Sequence, residues 1–361
     1  MPLLGLPPEI LGQIFDQLDS SFFQEDLSRL TVCKKWLDFA LSACFKRVTL
    51  SYENSYEALR RLATSTAAKQ SSSLEGHLQT LTLDIKGYQH GFSTRSPQEN
   101  ALPTSPSPAP YIYPWDNSVK SWRETLDNGL ARLAIIAHRS PELQTLRLRA
   151  SSSSLEFPLF PPGGYLSLST IRALLSVENL SVLVLDLSGT RLNSAGQQMG
   201  EPHICPFIGA LLPTLQTLHL RMRSICPDVL KPQDLDRKLR LSTVAINLSM
   251  DSEVPADHSV PCAHLAGGLI QLKAEIQEHA EVLVTRMESP KTVRILTQTF
   301  HETRSLDALT GKIMKLEADA AWDEDGEIVH EDIYEGSESE SDFEFPIFQI
   351  SFDEFEEFLY D

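Results

Sequence analysis

The first 45 residues carry apolar side chains at the spacing of α-helices. Pro7 and Pro8 favour a helix start, because the first turn has no use for the N–H that proline lacks, and Glu9 suits the positive end of the helix dipole. A broad apolar stripe follows at residues 10–18, and a second apolar set, broken where two β-branched residues adjoin, covers residues 27–44. This pattern predicts two or three short helices.

This N-terminal module carries more large apolar side chains than it can hide. A unit of about 45 residues buries too small a share of its surface to be securely stable alone, so some of these side chains must face a partner or the next domain. Phe45 belongs both to the last predicted helix and to the first strand pattern described next. We therefore expect the module to pack directly against the domain that follows.

A Leu-x-x-Leu-x-Leu pattern recurs after the module and predicts a short strand at each occurrence, with alternating leucines in a shared core. The starts lie 33, 65, 37, 35 and 26 residues apart, a longer and less regular spacing than that of leucine-rich repeats. An irregular leucine-rich-repeat-like solenoid of parallel strands and helices is the favoured interpretation, and an ordinary parallel α/β sheet is the alternative. The occurrences begin at Phe45, Leu78, Leu143, Leu180, Leu215 and Leu241.

Helical periodicity and turn residues fill the intervals between these strands. Residues 93–114 contain six prolines and several serines, so we expect an inserted loop that explains the 65-residue interval. Ser105-Pro106 and Ser107-Pro108 are linker dipeptides or proline-directed phosphorylation sites, and residues 151–164 repeat the loop composition. Helices are predicted at residues 55–69, 119–139, 170–177, 207–212 and 265–287, a strand at 291–299, and a turn-containing segment at 306–316.

The net charge of −18 comes entirely from the C-terminal end of the chain. Residues 317–361 hold eighteen Asp and Glu and no Lys or Arg, while the remaining 31 acidic residues balance 31 basic ones. Residues 335–342 are predicted to be disordered on composition. Phe348, Phe352, Phe355 and Phe358 sit at helical spacing among acids, so this segment either docks on a partner or folds back onto the body of the protein.

Composition also restricts the partners and the compartment. A nucleic-acid partner would need a clustered basic excess, which neither region shows overall. The absence of an apolar run near 18 residues and of a charged leader argues against a membrane span and a signal peptide. Five irregularly spaced cysteines fit reduced thiols. We expect a soluble cytoplasmic or nuclear protein with no nucleic-acid and no membrane partner.

No catalytic or metal motif emerges from the sequence. The chain has no G-x-S-x-G, G-x-x-x-x-G-K-[ST], H-E-x-x-H or G-x-G-x-x-G pattern, so we expect no enzyme and no cofactor. The nearest metal-like set is spaced unlike a zinc knuckle, and two of its cysteines precede proline, as turn residues do. We therefore expect no metal site at His203, Cys205, Cys226, Cys262 and His264.

The N-terminal module resembles an F-box. The chain reads Leu-Pro-x-Glu-Ile-Leu-x-x-Ile-Phe-x-x-Leu and, after a spacer, Leu-x-x-Leu-x-Val-Cys-Lys-x-Trp-x-x-x-Ala. Residues 320–327 are similar to the end of many fungal F-box proteins. The resemblance implies an F-box at residues 1–45 that binds a Skp-type adaptor and through it a cullin. The implied adaptor contacts are Leu6, Pro7, Ile10, Leu11 and Ile14, with Val32 and Trp36.

The same resemblance implies a function and a division of labour along the chain. Residues 46–316 would be the substrate-receptor domain, of leucine-rich-repeat-like type, and residues 317–361 the acidic tail. The protein would be a non-catalytic subunit of an SCF-type ubiquitin ligase that marks a protein target for degradation. The alternative is a scaffolding protein that uses the F-box without promoting ubiquitination. If the strands line an exposed face, plausible target contacts are Thr82, Asp84, Arg147, Arg149, Asp186, His219 and Arg221.

Overall fold

The computed structural model of the chain describes residues 6–18, 20–64, 74–88, 115–152, 164–193, 203–234, 237–250, 258–262, 268–298, 302–317 and 320–329. The insertion at 93–114, most of the loop at 151–164 and the tail from residue 330, with its phenylalanines and predicted disorder, lie outside these residues. Among the described helices, none combines the length and the apolar composition that a membrane crossing requires.

The protein is an α/β structure built on one large sheet. The helices are α1 (Pro8–Gln17), α2 (Ser20–Glu25), α3 (Lys34–Lys46), α4 (Ser55–Thr64), α5 (Trp115–His138), α6 (Leu168–Leu175), α7 (Cys205–Leu211) and α8 (Gly268–Val284), with 3-10 turns at Leu27–Leu30 and Pro227–Leu230. The strands are β1 (Arg47–Leu50), β2 (Thr80–Lys86), β3 (Thr145–Ser151), β4 (Leu166–Ser167), β5 (Val182–Leu187), β6 (Leu192–Asn193), β7 (Thr217–Met222), β8 (Ser224–Ile225), β9 (Thr243–Asn247), β10 (Val260–Pro261), β11 (Thr292–Gln298), β12 (Thr303–Asp307), β13 (Ile313–Leu316) and β14 (Glu327–Ile328).

The main sheet follows the order of the chain. Within the described residues its order is β1-β2-β3-β5-β7-β9-β11-β12-β13-β14, parallel from β1 to β11 and antiparallel afterwards. The pairs β4–β6 and β8–β10 lie outside it. The strand prediction for each Leu-x-x-Leu-x-Leu occurrence is confirmed, and so are the strand before residue 299 and the turn-containing segment, where β12 and β13 form a hairpin.

The leucine pattern places one side chain before each strand and two within it. Leu78, Leu81 and Leu83 are fully buried, as are their counterparts at the next occurrences. The backbone before each strand repeats one hydrogen-bonding arrangement. The Gln79 carbonyl accepts from the N–H groups of Gln144 and Thr145, and the Gln144 carbonyl accepts in the same way from the next unit. The units therefore stack on one another in sequence order.

The helices cover one face of the sheet. Leucines of the strands share a core with apolar residues of α5, α6, α7 and α8. Neighbouring helices also contact one another, from α4 against α5 to α6 against α7. Residues that alternate with the leucines, such as Thr82 and Arg147, are half-buried or exposed. The opposite face of the sheet, called the open face below, is therefore polar at β2 and β3 and carries some apolar residues, such as Ala245 and Leu296, at β9 and β11.

The helix predictions agree with the structure to within a few residues at each described end. The predicted helix at 119–139 is α5, which begins earlier at Trp115, and the one at 265–287 is α8, which ends at Val284. The helix predicted at 55–69 is α4, and its predicted end at 65–69 lies outside the described residues. These shifts follow from the weak sequence signals at helix ends, where the last turn frays.

Candidate functional site

The N-terminal module is a three-helix unit around an aromatic core. Phe15 of α1 lies at its centre, with ring centroids 4.6 Å from Trp36, 5.8 Å from Phe39 and 5.9 Å from Phe23. Small side chains of α3, among them Ala40, close the core and let the helices approach. The predicted two or three short helices are thus present, and α1 starts where the proline pair predicts.

Two hydrogen bonds hold the connection into α3, and they leave the apolar residue Val32 exposed on the surface. The Cys33 sulfur caps α3 by accepting from the Trp36 backbone N–H at 3.4 Å. The Trp36 indole N–H donates to the Arg29 carbonyl at 2.6 Å. Val32 lies between these fixed points with 62% of its surface exposed. An exposed β-branched residue in a fixed turn is suited to contact a partner.

The seven predicted adaptor contacts divide by their exposure. Pro7 and Ile10 are exposed on α1, Ile10 by 41%, and Val32 is exposed before α3. Leu6, Ile14 and Trp36 are half-buried, and Trp36 is also part of the aromatic core. Leu11 is fully buried, so in this chain it supports the helix from inside and offers no surface. The outward-facing apolar residues of the set are therefore Pro7, Ile10 and Val32.

The module continues into the sheet without a linker. α3 ends at Lys46 and β1 begins at Arg47, where it pairs with Thr80 of β2. Phe45 packs against the core of the module, whereas Val48 packs against the core of the sheet domain. This is the direct connection that the overlap of the two sequence patterns predicts at Phe45.

The open face carries a row of alternating charges across four strands. The strand register aligns Asp84 of β2, Arg149 of β3, Asp186 of β5 and Arg221 of β7. The Arg221 guanidinium donates to both Asp186 carboxylate oxygens, at 2.9 Å and 2.5 Å, and the Arg149 Nε lies 3.8 Å from Asp186. Asp186 is almost fully buried, whereas Arg149 is exposed. The row is therefore fixed at its β5–β7 end and open at its β2–β3 end.

A segment after β13 covers part of this face. Trp322 packs with Ala245 and Leu296, and its ring lies 5.0 Å from the Arg221 guanidinium carbon. Asp323 lies 3.8 Å from the His219 Nε2. His219 and Arg221, which the sequence suggested as target contacts, are thus covered by the chain itself. Sequence reasoning had no role for Trp322, because a lone tryptophan among acids shows no periodicity.

Four of the five metal-like residues meet at one place. The ligand atoms of His203, Cys205, Cys226 and Cys262 all lie within 4.8 Å of one another. The sulfurs of Cys205 and Cys262 are 3.5 Å apart, and the Cys226 sulfur is 3.8 Å from both ring nitrogens of His203. Cys226 does lie at a turn, directly before the 3-10 turn Pro227–Leu230, but the spacing along the sequence did not predict that these residues meet. The fifth residue, His264, lies outside the described residues.

The thiols of this cluster influence one another. Hydrogen bonds from the Cys205 and Cys262 thiols lower the pKa of Cys226, so its thiolate is favoured. The bond to Cys226 raises the pKa of Cys205, which is itself buried. Cysteine sulfur and histidine nitrogen are the ligands that zinc prefers, and the cluster brings three sulfurs and one imidazole together.

The chain was compared with models of known protein families and with curated proteins. No model of a known protein family matches this chain, and no curated protein matches its sequence.

Proposed function

We propose that the protein is a non-catalytic substrate-receptor subunit of a cullin-based ubiquitin ligase. In this proposal the module at residues 1–45 is an F-box that binds a Skp-type adaptor. The observation that carries the proposal is the exposure of Ile10 and Val32 on a module whose own core is complete without them. Exposed apolar residues beside a filled core are typical of an interaction surface.

The sheet domain would bind the target protein. In this proposal its strands are leucine-rich-repeat-like units, and the target contacts Thr82, Asp84, Arg147 and Arg149, on the half of the open face that the described segment around Trp322 does not cover. Arg147 and Arg149 are exposed and adjacent to an acidic position, so the surface suits a protein segment of mixed charge. His219, Asp186 and Arg221 are not included, because they are covered or paired within the chain.

The chain's contribution to ubiquitination would be positional. A target bound to the sheet and an adaptor bound to the module are held by one continuous structure, since α3 runs directly into β1. Such a connection raises the effective concentration of the target's lysines near a ubiquitin-conjugating enzyme elsewhere in the complex. No chemical step is assigned to a residue of this chain.

Adaptor affinity tests the proposal. We expect Ile10→Asp/Val32→Asp to bind a purified Skp-type adaptor at least about 30-fold more weakly than wild type, because each aspartate would place a charge in an apolar interface. Ile270→Asp is the matched control, since Ile270 is an exposed isoleucine on α8, outside the module, and 84% of its surface is exposed. Its affinity should equal that of wild type.

Three results would count against the proposal. Absence of adaptor binding by the wild-type chain would refute it, and equal binding by the double variant would refute the assigned face. Circular dichroism must show that the double variant keeps its helices. If a partner bound to the sheet domain has the same half-life with wild type and with the double variant, the scaffolding function replaces the ligase function.

A further inference from the structure

The His/Cys cluster has the dimensions of a tetrahedral metal site. Zinc binds cysteine sulfur at about 2.3 Å, so two sulfurs of one tetrahedral site lie about 3.8 Å apart. The measured separations are 3.5 Å between the Cys205 and Cys262 sulfurs and 3.8 Å from the Cys226 sulfur to the His203 ring nitrogens. A disulfide would need about 2.05 Å, and these cysteines are free. All four ligand atoms lie within 4.8 Å of one another, so a shift of about 1 Å at the widest pair would bring them to the tetrahedral spacing around one ion.

The register of two short strands brings the ligands together. β8 and β10 are parallel partners, with Ser224 opposite Val260 and Ile225 opposite Pro261. Cys226 and Cys262 directly follow the last residues of these two strands, so they lie side by side. Although they are 36 positions apart in sequence, the pairing makes them neighbours in space.

The start of α7 supplies the remaining two ligands. Cys205 is its first residue and is fully buried, and His203 precedes it by two residues. α7 packs against the 3-10 turn Pro227–Leu230 that follows Cys226, which brings this helix start onto the strand pair. Three separate stretches of chain thus converge on one point.

We propose that His203, Cys205, Cys226 and Cys262 bind a structural zinc ion. Three thiolates and one imidazole form a complete tetrahedral set, which selects zinc over the oxygen-preferring magnesium and calcium. A site with four protein ligands has no open position for water or substrate, so its role is structural. The His203 side chain is 36% exposed, which gives an ion and a chelator access from solvent.

Asp228 is placed to orient the histidine ligand. Its Oδ2 lies 3.8 Å from the His203 Nε2, and its Oδ1 accepts from the Lys231 ammonium at 2.9 Å. If the Nδ1 of His203 binds the ion, Asp228 is the carboxylate beside the other ring nitrogen, and a small rotation of the ring would shorten the 3.8 Å separation to a hydrogen bond, as in the outer partners of zinc-bound histidines. Asp228 is therefore a positioning residue that does not itself bind the ion.

The proposed zinc would stabilise a part of the helix layer in which the described helices are short. A helix of 24 residues, α5, leads into β3, whereas only the seven residues of α7 lead into β7. Between β7 and β9 the described helical structure is the four-residue 3-10 turn Pro227–Leu230. Short elements bury little apolar surface, so a metal that ties them to β10 would replace part of the missing packing.

The test is metal analysis of the purified full-length chain. Expressed with zinc available and dialysed, wild type should retain about one zinc ion per chain. Cobalt added to the chain after zinc removal should give the visible absorption of tetrahedral thiolate coordination. A strong chelator should lower the thermal midpoint, and added zinc should restore it.

Variants separate the site from the other cysteines. Cys226→Ser should reduce zinc to less than about a tenth of an ion per chain, and Asp228→Asn should weaken zinc affinity about 10- to 100-fold. Cys33→Ser is the matched control, because Cys33 caps α3 and serine keeps a capping oxygen, so its zinc content should equal that of wild type.

Three outcomes would overturn the proposal. Folded wild-type chain that holds no zinc and gives no tetrahedral cobalt spectrum lacks the site. A chain mass two hydrogens lower under non-reducing conditions, with a digest in which the Cys205 and Cys262 peptides are linked, would assign these cysteines to a disulfide. Equal loss of zinc in Cys33→Ser and Cys226→Ser would show adventitious binding to thiols. The wild-type measurements stand even if Cys226→Ser fails to fold.

Discussion

Arg221→Met tests whether the charged row on the open face is structural at its β5–β7 end. The Asp186 side chain is only 8% exposed and that of Arg221 13%, so the substitution leaves a buried carboxylate without its two-bond partner. Removing one member of a buried ion pair costs about 3–5 kcal/mol. Arg149, at 3.8 Å and mostly exposed, compensates by at most about 1 kcal/mol. We expect a net loss of about 3 kcal/mol.

The assay is equilibrium unfolding, and a control variant on the same face interprets it. At about 2 °C per kcal/mol for a chain of this size, the thermal midpoint should fall by about 6 °C. Arg147→Met, at an exposed position of the same face, should change the free energy of unfolding by less than about 0.5 kcal/mol. An equal loss for Arg147→Met and Arg221→Met would refute the reasoning.

The double variant Asp186→Asn/Arg221→Met tests whether the loss of stability in Arg221→Met comes from the unpaired Asp186 carboxylate. Asp186 also accepts from the Ser188 backbone N–H, and Asn247, in the same row of β9, accepts from Ser249 in the same way. Asparagine can therefore keep the local bond while removing the charge. We expect the double variant to be more stable than Arg221→Met alone, because no unpaired carboxylate remains.

Two further predictions concern packing and pH. Gly129→Ala in α5 should lower the thermal midpoint, because a Cβ there would lie 2.5 Å from the Leu59 carbonyl oxygen, whereas Gly12→Ala in α1, with open space around it, should not. Burial lowers the pKa of His219 in the folded chain. As the pH falls through the usual histidine pKa, the unfolded chain therefore takes up this proton before the folded chain does. The free energy of unfolding should fall as the pH falls from about 7.5 to about 5.5. Thermal midpoints of His219→Gln should fall less over this range.

The sequence predicted the sheet because its signal is local and repeated. The strands β2, β3, β5 and β7 each carry leucines two residues apart with a third leucine before them, and Leu146 and Leu148 occupy the buried positions that this spacing predicts. The helix α5 was predictable for the same reason, because Leu126 and Leu130 lie one turn apart on its buried face. Patterns that repeat within one element can be recognised without knowledge of its neighbours.

The His/Cys cluster and the Trp322 cover were not predictable in this way. Cys226 and Cys262 become neighbours only through the register of β8 and β10, each two residues long and without an alternating pattern. Trp322 contacts Arg221 only because the chain that follows the β12–β13 hairpin lies on the open face. In both cases the contact depends on how distant elements pair, which single-element periodicity does not encode.

These two features together locate the available recognition surface. The segment around Trp322 closes the open face over β7 and β9, and the His/Cys cluster lies with the 3-10 turn and α7, which pack on the other side of the sheet. What stays uncovered among the described strands is the β2–β3 half, where Arg149 lies two strands from β1. Neighbouring strands lie about 4.8 Å apart, so this surface is about 10 Å from the strand that continues α3. A target held there would be bound close to the proposed adaptor-binding module, so the two proposed contacts would be joined by the short, continuous path from α3 into β1.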